Sequence, residues 1–558
     1  MQYVEVIINR NRVEPLTYRP KSAQLPYIKP GCLVKVPLGH TTEWGIISKI
    51  TKLHSSIAEY KIKEISELYP EIILCEINFF LARWLDRQYL SGFNEALFVQ
   101  IPLNLPKKLA DLQLKYKNLP QSDNKITKFI TNFNQKQLLI DKIIAKAKIN
   151  NKSVRIFIPD LNDAENIKSR FIKKYTPKVY TYSSKTSDKI KMQTINNYLI
   201  NSNSIIIGGR YLGLIPPKKD EIWIVDSPAS YSYRNEQNPK FHLVNLLSFF
   251  LPYVKIFTLN YIPFDFTNSQ NDAFTNGQNQ SSWKNTVEIS QNENFFKQSD
   301  YYDGDNYCVI IPNQPPRKNL FCGHCYLMAK SNCCSEILQQ IKGEWVCSGC
   351  KNAVKNLNCP VCNNPLTITE VSYDKIISKF TKTKKINLFE CIEKKYSTAL
   401  IIGFDHYLDK MTTLADFEFL EIIAQAKNIA KKVIIFTNLQ NHPLLLILNN
   451  EVNDISRYLH DSTQNMRELP YYRTIKLVSK KPIPVEIKKM EEVINQLNNL
   501  NLKNFKYEKP YIDTKNHLNL IISVLDEDFI KISRWWEINY KTSIDSKWTV
   551  DIDPLKIV

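Results

Sequence analysis

The sequence predicts an α/β protein of several domains, and three observations carry this prediction. Apolar segments alternate in a strand-like pattern through the first 105 residues. Helical and strand patterns then alternate through residues 126–262 and again through 374–437. Eight of the twelve cysteines of the chain fall within residues 322–362. With 558 residues, the chain has room for about three to five domains.

The composition favours an anionic polymer such as nucleic acid as a partner. The chain has 74 Lys and Arg residues against 55 Asp and Glu residues, which gives a net charge of +19. The alternative is a solvated basic surface in a chain rich in Lys, Asn and Ile. The N-terminus lacks the features of a signal peptide, and no apolar run is long enough to span a membrane. We therefore expect a cytoplasmic protein with reduced thiols and no membrane partner.

The cysteine cluster indicates zinc, because two residues between paired cysteines let both thiolates reach one side of an ion that needs four ligands. Disulfides are the weaker interpretation in a long chain without an export signal. We predict a zinc-binding module over residues 321–367 with one or two ions. Its candidate ligands are Cys322, Cys325, Cys333, Cys334, Cys347, Cys350, Cys359 and Cys362.

Residues 1–105 read as strands at 4–8, 32–37, 44–47 and 62–68, followed by a helix at 73–89. This order resembles the N-terminal 3′-DNA-end-binding domain of the PriA family of primosomal replication-restart helicases (primosomal protein N′). The resemblance implies that Tyr18, Gly39 and Lys63 contribute to a pocket for the 3′ end of a nascent DNA strand. Leu16 and Thr17 stand where that family has an aromatic residue and an acid. The alternative for Tyr18 and Lys63 is an ordinary strand residue and an ordinary surface residue.

Residues 106–125 read as a polar linker, with no room for the winged-helix domain that the family usually carries there. Residues 126–266 resemble the first RecA-like helicase lobe of the family in degenerate form. The motifs that carry the resemblance are Ile207-Gly-Gly-Arg-Tyr-Leu212 and Val225-Asp-Ser-Pro-Ala229. The resemblance implies that Lys136 corresponds to the phosphate-binding lysine and Asp226 to the metal-binding carboxylate.

The chemistry of ATP hydrolysis is largely missing from this lobe. No glycine occurs between Gly92 and Gly208, although a phosphate-cradling loop needs glycines so that its backbone can approach the phosphates. Gln137 replaces the metal-binding hydroxyl, and Ser227 replaces the glutamate that would orient the attacking water. We therefore interpret Lys136 and Asp226 as relics, with no intact catalytic or nucleotide-binding site, and ATP is a doubtful cofactor.

A loop over residues 231–242 interleaves aromatic and basic residues, which suits single-stranded DNA. The resemblance implies DNA contacts by Arg210, Tyr233, Arg234 and Lys240. The alternative is that the loop packs against the sheet of the lobe.

The second half of the chain is interpreted as follows: a polar linker or insert at 267–300, the start of a second helicase lobe at 301–320, the zinc module, the rest of the degenerate second lobe at 368–471, and a small α/β C-terminal domain at 472–558. The resemblance pairs Cys322 and Cys325 with Cys359 and Cys362 at one ion, and the four inner cysteines at another. Ile429 and Lys432 stand where the family has arginine fingers.

The first hypothesis is a PriA-like protein that binds forked or branched DNA with single-stranded regions, and that acts in replication restart and primosome assembly without hydrolysing ATP. Its expected partners are replisome or primosome proteins, a replicative helicase loader and single-strand-binding protein. Two alternatives stay open: an ATP-dependent 3′–5′ DNA helicase with highly divergent motifs, and a zinc-containing scaffold that no longer binds DNA. Binding to forked DNA and turnover of ATP distinguish the three.

Overall fold

The structure is a computed structural model of the chain. It describes residues 2–10, 13–52, 62–101, 114–115, 119, 121, 124, 126–130, 133–159, 164–175, 178–183, 186–228, 230–235, 237–260, 275–276, 287–290, 306–310, 319–321, 338–341, 344–347, 353–354, 357–359, 363–369, 384–386, 395–402, 413–437, 440, 442–448, 452–466, 471–480, 484–508, 510–512, 517–543 and 548–553. Among these residues, no helix has the length and apolarity needed to cross a membrane.

The N-terminal domain is built on a sheet with the strand order β2-β1-β4-β3-β5-β6. Its elements are β1 (Gln2–Ile8), β2 (Leu16–Tyr18), β3 (Cys32–Leu38), β4 (Thr41–Lys52), β5 (Glu67–Ile73), α1 (Glu76–Tyr89), α2 (Phe93–Phe98) and β6 (Leu114–Lys115). The alternation of the strands gives the sheet two apolar faces. One face forms its own core with Val4, Val34 and Tyr18, and the other packs Leu33 and Ile46 on the helices. The predicted strand over residues 62–68 is wrong for most of its length, because β5 begins at Glu67.

A parallel sheet with the strand order β13-β7-β12-β11-β8-β10-β9 forms the first lobe. Its elements are β7 (Ile126–Ile130), α3 (Phe133–Ile149), β8 (Val154–Phe157), α4 (Ala164–Tyr175), β9 (Val179–Tyr182), α5 (Asp188–Ile200), β10 (Ile205–Gly208), β11 (Ile222–Asp226), α6 (Leu243–Phe250), β12 (Lys255–Asn260) and β13 (Thr275–Asn276). Helices cover both faces, as expected for a parallel sheet, with α3 and α4 on one side and α5 and α6 on the other. The apolar runs of the sequence predict strands at 154–158, 204–207, 222–225 and 255–259, and these lie within about one residue of β8, β10, β11 and β12.

The second lobe is also a parallel sheet, with the strand order β14-β22-β21-β15-β20. Its described elements are β14 (Val287–Ser290), β15 (Tyr307–Ile310), β20 (Lys384–Ile386), β21 (Tyr396–Ile402), α7 (Thr413–Ile429), β22 (Ala430–Phe436), α8 (Pro443–Ile447) and α9 (Val452–Met466). The β14 strand lies inside the predicted polar linker or insert at 267–300 and pairs in parallel with β22. Its short apolar alternation suits an edge position of this sheet.

A small antiparallel sheet with the strand order β18-β17-β16-β19 lies within the predicted zinc module. Its strands are β16 (Asn319–Phe321), β17 (Leu338–Ile341), β18 (Glu344–Cys347) and β19 (Thr367–Thr369). Leu320, Leu338 and Trp345 form its buried cluster. Three described hydrophobic side chains make a small core, so the module is expected to need further cross-links.

The C-terminal domain has an antiparallel sheet with β26 and β23 at its centre. Its elements are β23 (Tyr472–Ser479), α10 (Pro484–Asn498), β24 (Lys506–Tyr507), β25 (Tyr511–Ile512), β26 (Leu518–Leu525), α11 (Asp526–Ser543) and β27 (Trp548–Ile552). One continuous hydrophobic core joins this domain to the N-terminal domain and to the first lobe. It includes Trp535 from this domain, Leu81 from the N-terminal domain and Trp223 from the first lobe. These three parts therefore form a single packed unit.

Candidate DNA-end site and nucleotide cleft

The turn between β3 and β4 brings together the residues predicted for the DNA end. Gly39 lies in this turn at φ +60°, a left-handed conformation that favours glycine. The Lys63 ammonium donates a hydrogen bond to the Gly39 carbonyl oxygen at 3.1 Å. Among the described residues, no atom outside Gly39 and its two chain neighbours lies within 4 Å of the position that a Cβ on Gly39 would occupy. The turn therefore presents an open backbone surface beside a cation.

Tyr18 contacts the end of β3, just before this turn. Its hydroxyl donates a hydrogen bond to the Pro37 carbonyl oxygen at 3.1 Å, and its ring is 3% exposed. Burial raises the pKa of the Tyr18 phenol. Leu16 packs against the same core, as expected for residues two apart on one strand. Tyr18 is thus placed to fix β2 against the end of β3.

Two exposed basic residues of this domain form weak ion pairs. Arg19 pairs with Glu64 at 3.0 Å and Lys35 pairs with Glu67 at 3.5 Å, with the side chains between 33% and 50% exposed. The Lys35 ammonium also lies 5.9 Å from the centre of the Trp44 ring. Such exposed ion pairs contribute about 0–1 kcal/mol. An incoming phosphate can therefore replace the carboxylates at little cost.

The loop predicted to contact DNA lies against the C-terminal domain. The Tyr233 ring is fully buried, and its hydroxyl donates to the Asp226 carbonyl oxygen at 2.7 Å. Arg234 and Lys240 both donate to the Asp551 carboxylate on β27 at 2.7 Å. Arg210 donates to the Ser232 carbonyl oxygen at 2.8 Å. The structure thus brings these residues together at a domain interface, and a DNA contact by them stays a prediction.

Lys136 and Asp226 meet in the cleft where the resemblance places the nucleotide. Lys136 lies in the first turn of α3, and Asp226 ends β11. The Lys136 ammonium and one Asp226 carboxylate oxygen form an ion pair in which the side chains are 8% and 15% exposed. The Ser227 hydroxyl donates to the same carboxylate oxygen at 3.0 Å. The predicted phosphate ligand and the predicted metal ligand are therefore bonded to each other.

Glu421 from the second lobe completes this cluster, and the sequence analysis missed it. It lies on α7, is 2% exposed, and interacts electrostatically with Lys136 and Asp226. Burial raises the pKa of the Glu421 carboxyl to about 8, while the charge of Lys136 opposes the rise. The available signal was an acid on the apolar face of a predicted helix, four residues after Phe417. A carboxylate in that position must have a partner across the interface.

Of the eight predicted zinc ligands, six lie outside the described residues: Cys322, Cys325, Cys333, Cys334, Cys350 and Cys362. Cys347 ends β18, and Cys359 is 4% exposed. The Cys359 amide donates to the Asn364 carbonyl at 2.8 Å, and the Asn363 amide donates to the Cys359 carbonyl at 2.8 Å. Asn363 has φ +60°. The backbone of Cys359 is thus bonded to that of Asn363 and Asn364, which suits a turn that carries a thiolate.

The outer side of α3 and α4 carries a basic face, defined here as Lys142, Lys146, Lys148, Lys173 and Lys174. The two helices are tied together by a 3.3 Å hydrogen bond from the Tyr175 hydroxyl to the Asp141 carbonyl oxygen. Lys142, Lys146 and Lys173 are exposed. Lysines in the last turn also favour the helix dipole. Two helices that end side by side in lysines concentrate positive charge on one surface of the first lobe.

The geometry thus defines a class of protein: a β-rich domain with a cationic turn, joined to two parallel α/β lobes whose cleft holds a lysine and an aspartate. Residues 5–102 match the family model of the PriA 3′ DNA-binding domain (3′BD). The match covers most of β1, all of β2 to β5 with the turn, and both helices, but not β6. It confirms the resemblance that the sequence predicted for this domain.

A curated relative extends the similarity beyond this domain. The chain is 27% identical over 228 residues to the replication restart protein PriA of Borreliella burgdorferi. The match covers 35% of this chain and 33% of that relative, so it spans about a third of the relative's length. The chain is therefore PriA-like.

Proposed function

We propose that this protein binds forked or branched DNA in replication restart, and that it recognises the 3′ end of a nascent strand through its N-terminal domain. The observation that carries the proposal is the contact between Lys63 and Gly39 at the β3–β4 turn, in a domain that matches the 3′ DNA-binding family. An ammonium can neutralise a phosphate, and the open backbone of the turn lets a strand end approach closely. Because Leu16 replaces a stacking ring, we expect little preference for the terminal base.

The proposal includes the absence of ATP hydrolysis. It is supported by the ion pair between Lys136 and Asp226, because neither group is then available to phosphate or to a metal ion. The replacement of the orienting glutamate by Ser227 supports it further. Without turnover, the protein would act as a platform for replisome or primosome proteins, a replicative helicase loader and single-strand-binding protein rather than as a motor.

Zinc is the cofactor that we propose for the small sheet. Two strand pairs support this proposal: Phe321, next to Cys322 in the sequence, pairs with Thr367, and Leu338 pairs with Cys347. We propose that the outer Cys-x-x-C pairs hold one ion and the four inner cysteines the other, as two four-ligand zinc sites require. When bound, the metal would supply cross-links that the small core of the module lacks.

A binding experiment with a matched variant tests the DNA proposal. Lys63→Ala is compared with Lys29→Ala, another exposed lysine of the same domain. The substrates are forks whose nascent strand ends in a free 3′ hydroxyl or in a 3′ phosphate. We expect the wild-type protein to prefer the free end, and we expect Lys63→Ala to bind both forks more weakly than Lys29→Ala does, because it has lost a cation that can neutralise a phosphate. Equal binding of both forks by the wild-type protein would overturn recognition of the strand end.

ATP turnover is followed in the same samples with and without the fork. We expect no release of phosphate above the level of a protein-free control. DNA-stimulated turnover would instead support the helicase alternative. Failure to bind any fork at moderate salt would support the scaffold alternative.

A further inference from the structure

We propose that the second lobe itself permanently occupies the nucleotide cleft of the first lobe, with α7 inserting Glu421 against Lys136, Asp226 and Ser227 so that the two lobes stay closed without nucleotide. In this view Lys136 and Asp226 are positioning residues of an interface between lobes rather than relics. The inference rests on the proposed absence of ATP hydrolysis, but it is independent of DNA binding.

The residues that the first lobe contributes to this interface are joined to one another by an ion pair and hydrogen bonds. Lys136 and Asp226 form a buried ion pair, and the Ser227 hydroxyl donates to Asp226 at 3.0 Å. The Ser227 amide donates to the Leu259 carbonyl oxygen at 3.0 Å, which fixes this residue to β12. A nucleotide with its metal ion would have to break the ion pair before either group could bind it. Removing one partner of a buried pair leaves an uncompensated charge, so this rearrangement is strongly opposed.

The second lobe contributes helix α7, with Glu421, to the same interface. Helix α7 packs against α3, and Glu421 interacts electrostatically with both Lys136 and Asp226. The Glu421 carboxyl is buried, and its Oε1 has no hydrogen-bond partner among the described residues. The Gln425 amide nitrogen, one turn further along α7, is buried in the same unpartnered way. Because an unpartnered buried polar group costs free energy, the contact rests on the packing of α7 against α3 and on the charges of Lys136 and Asp226, not on these two groups.

The simpler interpretation is a local ion pair of two relics, with Glu421 beside it by chance. The two interpretations differ in coupling between the lobes. A chance neighbour changes only its own helix when it is replaced. Replacing a residue that holds the lobes together also changes hydrogen exchange in the facing residues of the other lobe.

Hydrogen exchange of the full-length, zinc-loaded protein tests this coupling. Glu421→Arg places a like charge beside Lys136, and we expect exchange to rise about tenfold or more both in α7 and in the peptides that carry α3 and the end of β11. Glu421→Gln keeps the size and the neutrality of a protonated acid, so we expect it to resemble the wild type. Lys431→Glu changes the charge by two units at an exposed position of the same lobe and serves as the control.

Lys136→Met provides an independent arm if Glu421→Arg does not fold. We expect it to raise exchange in α7, which lies on the other lobe. The proposal is overturned if exchange in the first lobe is unchanged in Glu421→Arg, if exchange in α7 is unchanged in Lys136→Met, or if Mg-ATP protects the cleft of the wild-type protein. Phosphate release by the wild-type protein would overturn the proposed function as well, whereas no release with unchanged exchange would overturn only the interface.

Discussion

The Arg473 guanidinium donates to the Asp553 carboxylate at 2.7 Å at a point where three parts of the chain meet. Its other two nitrogens donate to the Gln88 side chain at 2.7 Å and to the Gln88 carbonyl oxygen at 2.9 Å, at the end of α1. The guanidinium also lies 4.3 Å from the centre of the Phe529 ring on α11. Arg473 therefore joins the N-terminal domain to the C-terminal domain through a buried and fully bonded cation.

Replacing Arg473 by methionine is predicted to destabilise the joined domains. The side chain is 3% exposed, and its loss leaves the Asp553 carboxylate buried without its cation. Such a loss costs about 3–5 kcal/mol. Urea unfolding followed by tryptophan fluorescence measures the change.

Lys488→Met is the matched control for this prediction, because Lys488 is exposed on α10 of the same domain. The free energy of unfolding of Lys488→Met is expected to differ from that of the wild type by no more than about 0.5 kcal/mol. Equal effects of the two substitutions would contradict the role given to Arg473.

Residues such as Arg473 show where sequence reasoning stops. The strands of the first lobe could be predicted because their apolar runs are local, and the Tyr18, Gly39 and Lys63 set could be predicted because a resemblance covers that domain. The partners of Arg473 lie 80 and 385 residues away along the chain. A pairing over such distances is set by how the domains pack, which no local period encodes.

The same limit explains the loop at residues 231–242. Alternating aromatic and basic side chains are compatible with DNA and also with an acidic neighbour. The Asp551 carboxylate lies more than 300 positions away from Arg234 and Lys240 in the chain. Only the packing of β27 against the first lobe shows that one carboxylate accepts from both cations.

Neutralising two lysines of the basic face is predicted to weaken the salt dependence of DNA binding. Each phosphate contact that is lost lowers the slope of log K against log salt by about 0.7–0.9. We therefore expect the double substitution Lys142→Gln and Lys146→Gln to lower the slope by up to about 1.8 if both lysines contact phosphate. Fluorescence anisotropy over a salt series measures the slope.

The control carries the same change of charge elsewhere. Lys488→Gln combined with Lys506→Gln removes two exposed lysines from the C-terminal domain. If both double variants shift the slope equally, the net charge of the protein determines the salt dependence, and the basic face has no special part in binding.

Glu421 is predicted to make stability depend on pH. Burial raises the pKa of its carboxyl from 4.5 to about 8, so the folded state binds the proton more tightly than the unfolded state. This contribution is fully present below pH 4.5 and is lost as the pH rises to about 8, at up to about 1.4 kcal/mol per pH unit. Glu421→Gln lacks the titrating group.

The difference in unfolding free energy between the wild type and Glu421→Gln, measured from pH 4.5 to 9, isolates this effect. Burial also lowers the pKa of His242 to about 3, but that group titrates alike in both proteins and cancels in the difference. A difference that stays constant across this range would contradict a raised pKa for Glu421.

Cys359 is predicted to hold one zinc ion together with three other thiolates, and its loss should therefore remove one ion from each chain. Three remaining ligands leave an open position and bind the metal less tightly than a closed tetrahedron. Because a structural metal contributes folding free energy, Cys359→Ser should also unfold the small sheet around Trp345 and increase its cleavage by a protease. Metal analysis of the purified protein counts the ions. Cys32→Ser replaces another buried cysteine, one that lies on β3 far along the chain from the cluster, and should leave the count unchanged. An equal zinc content in the wild type and in Cys359→Ser would remove this residue from the ligand set.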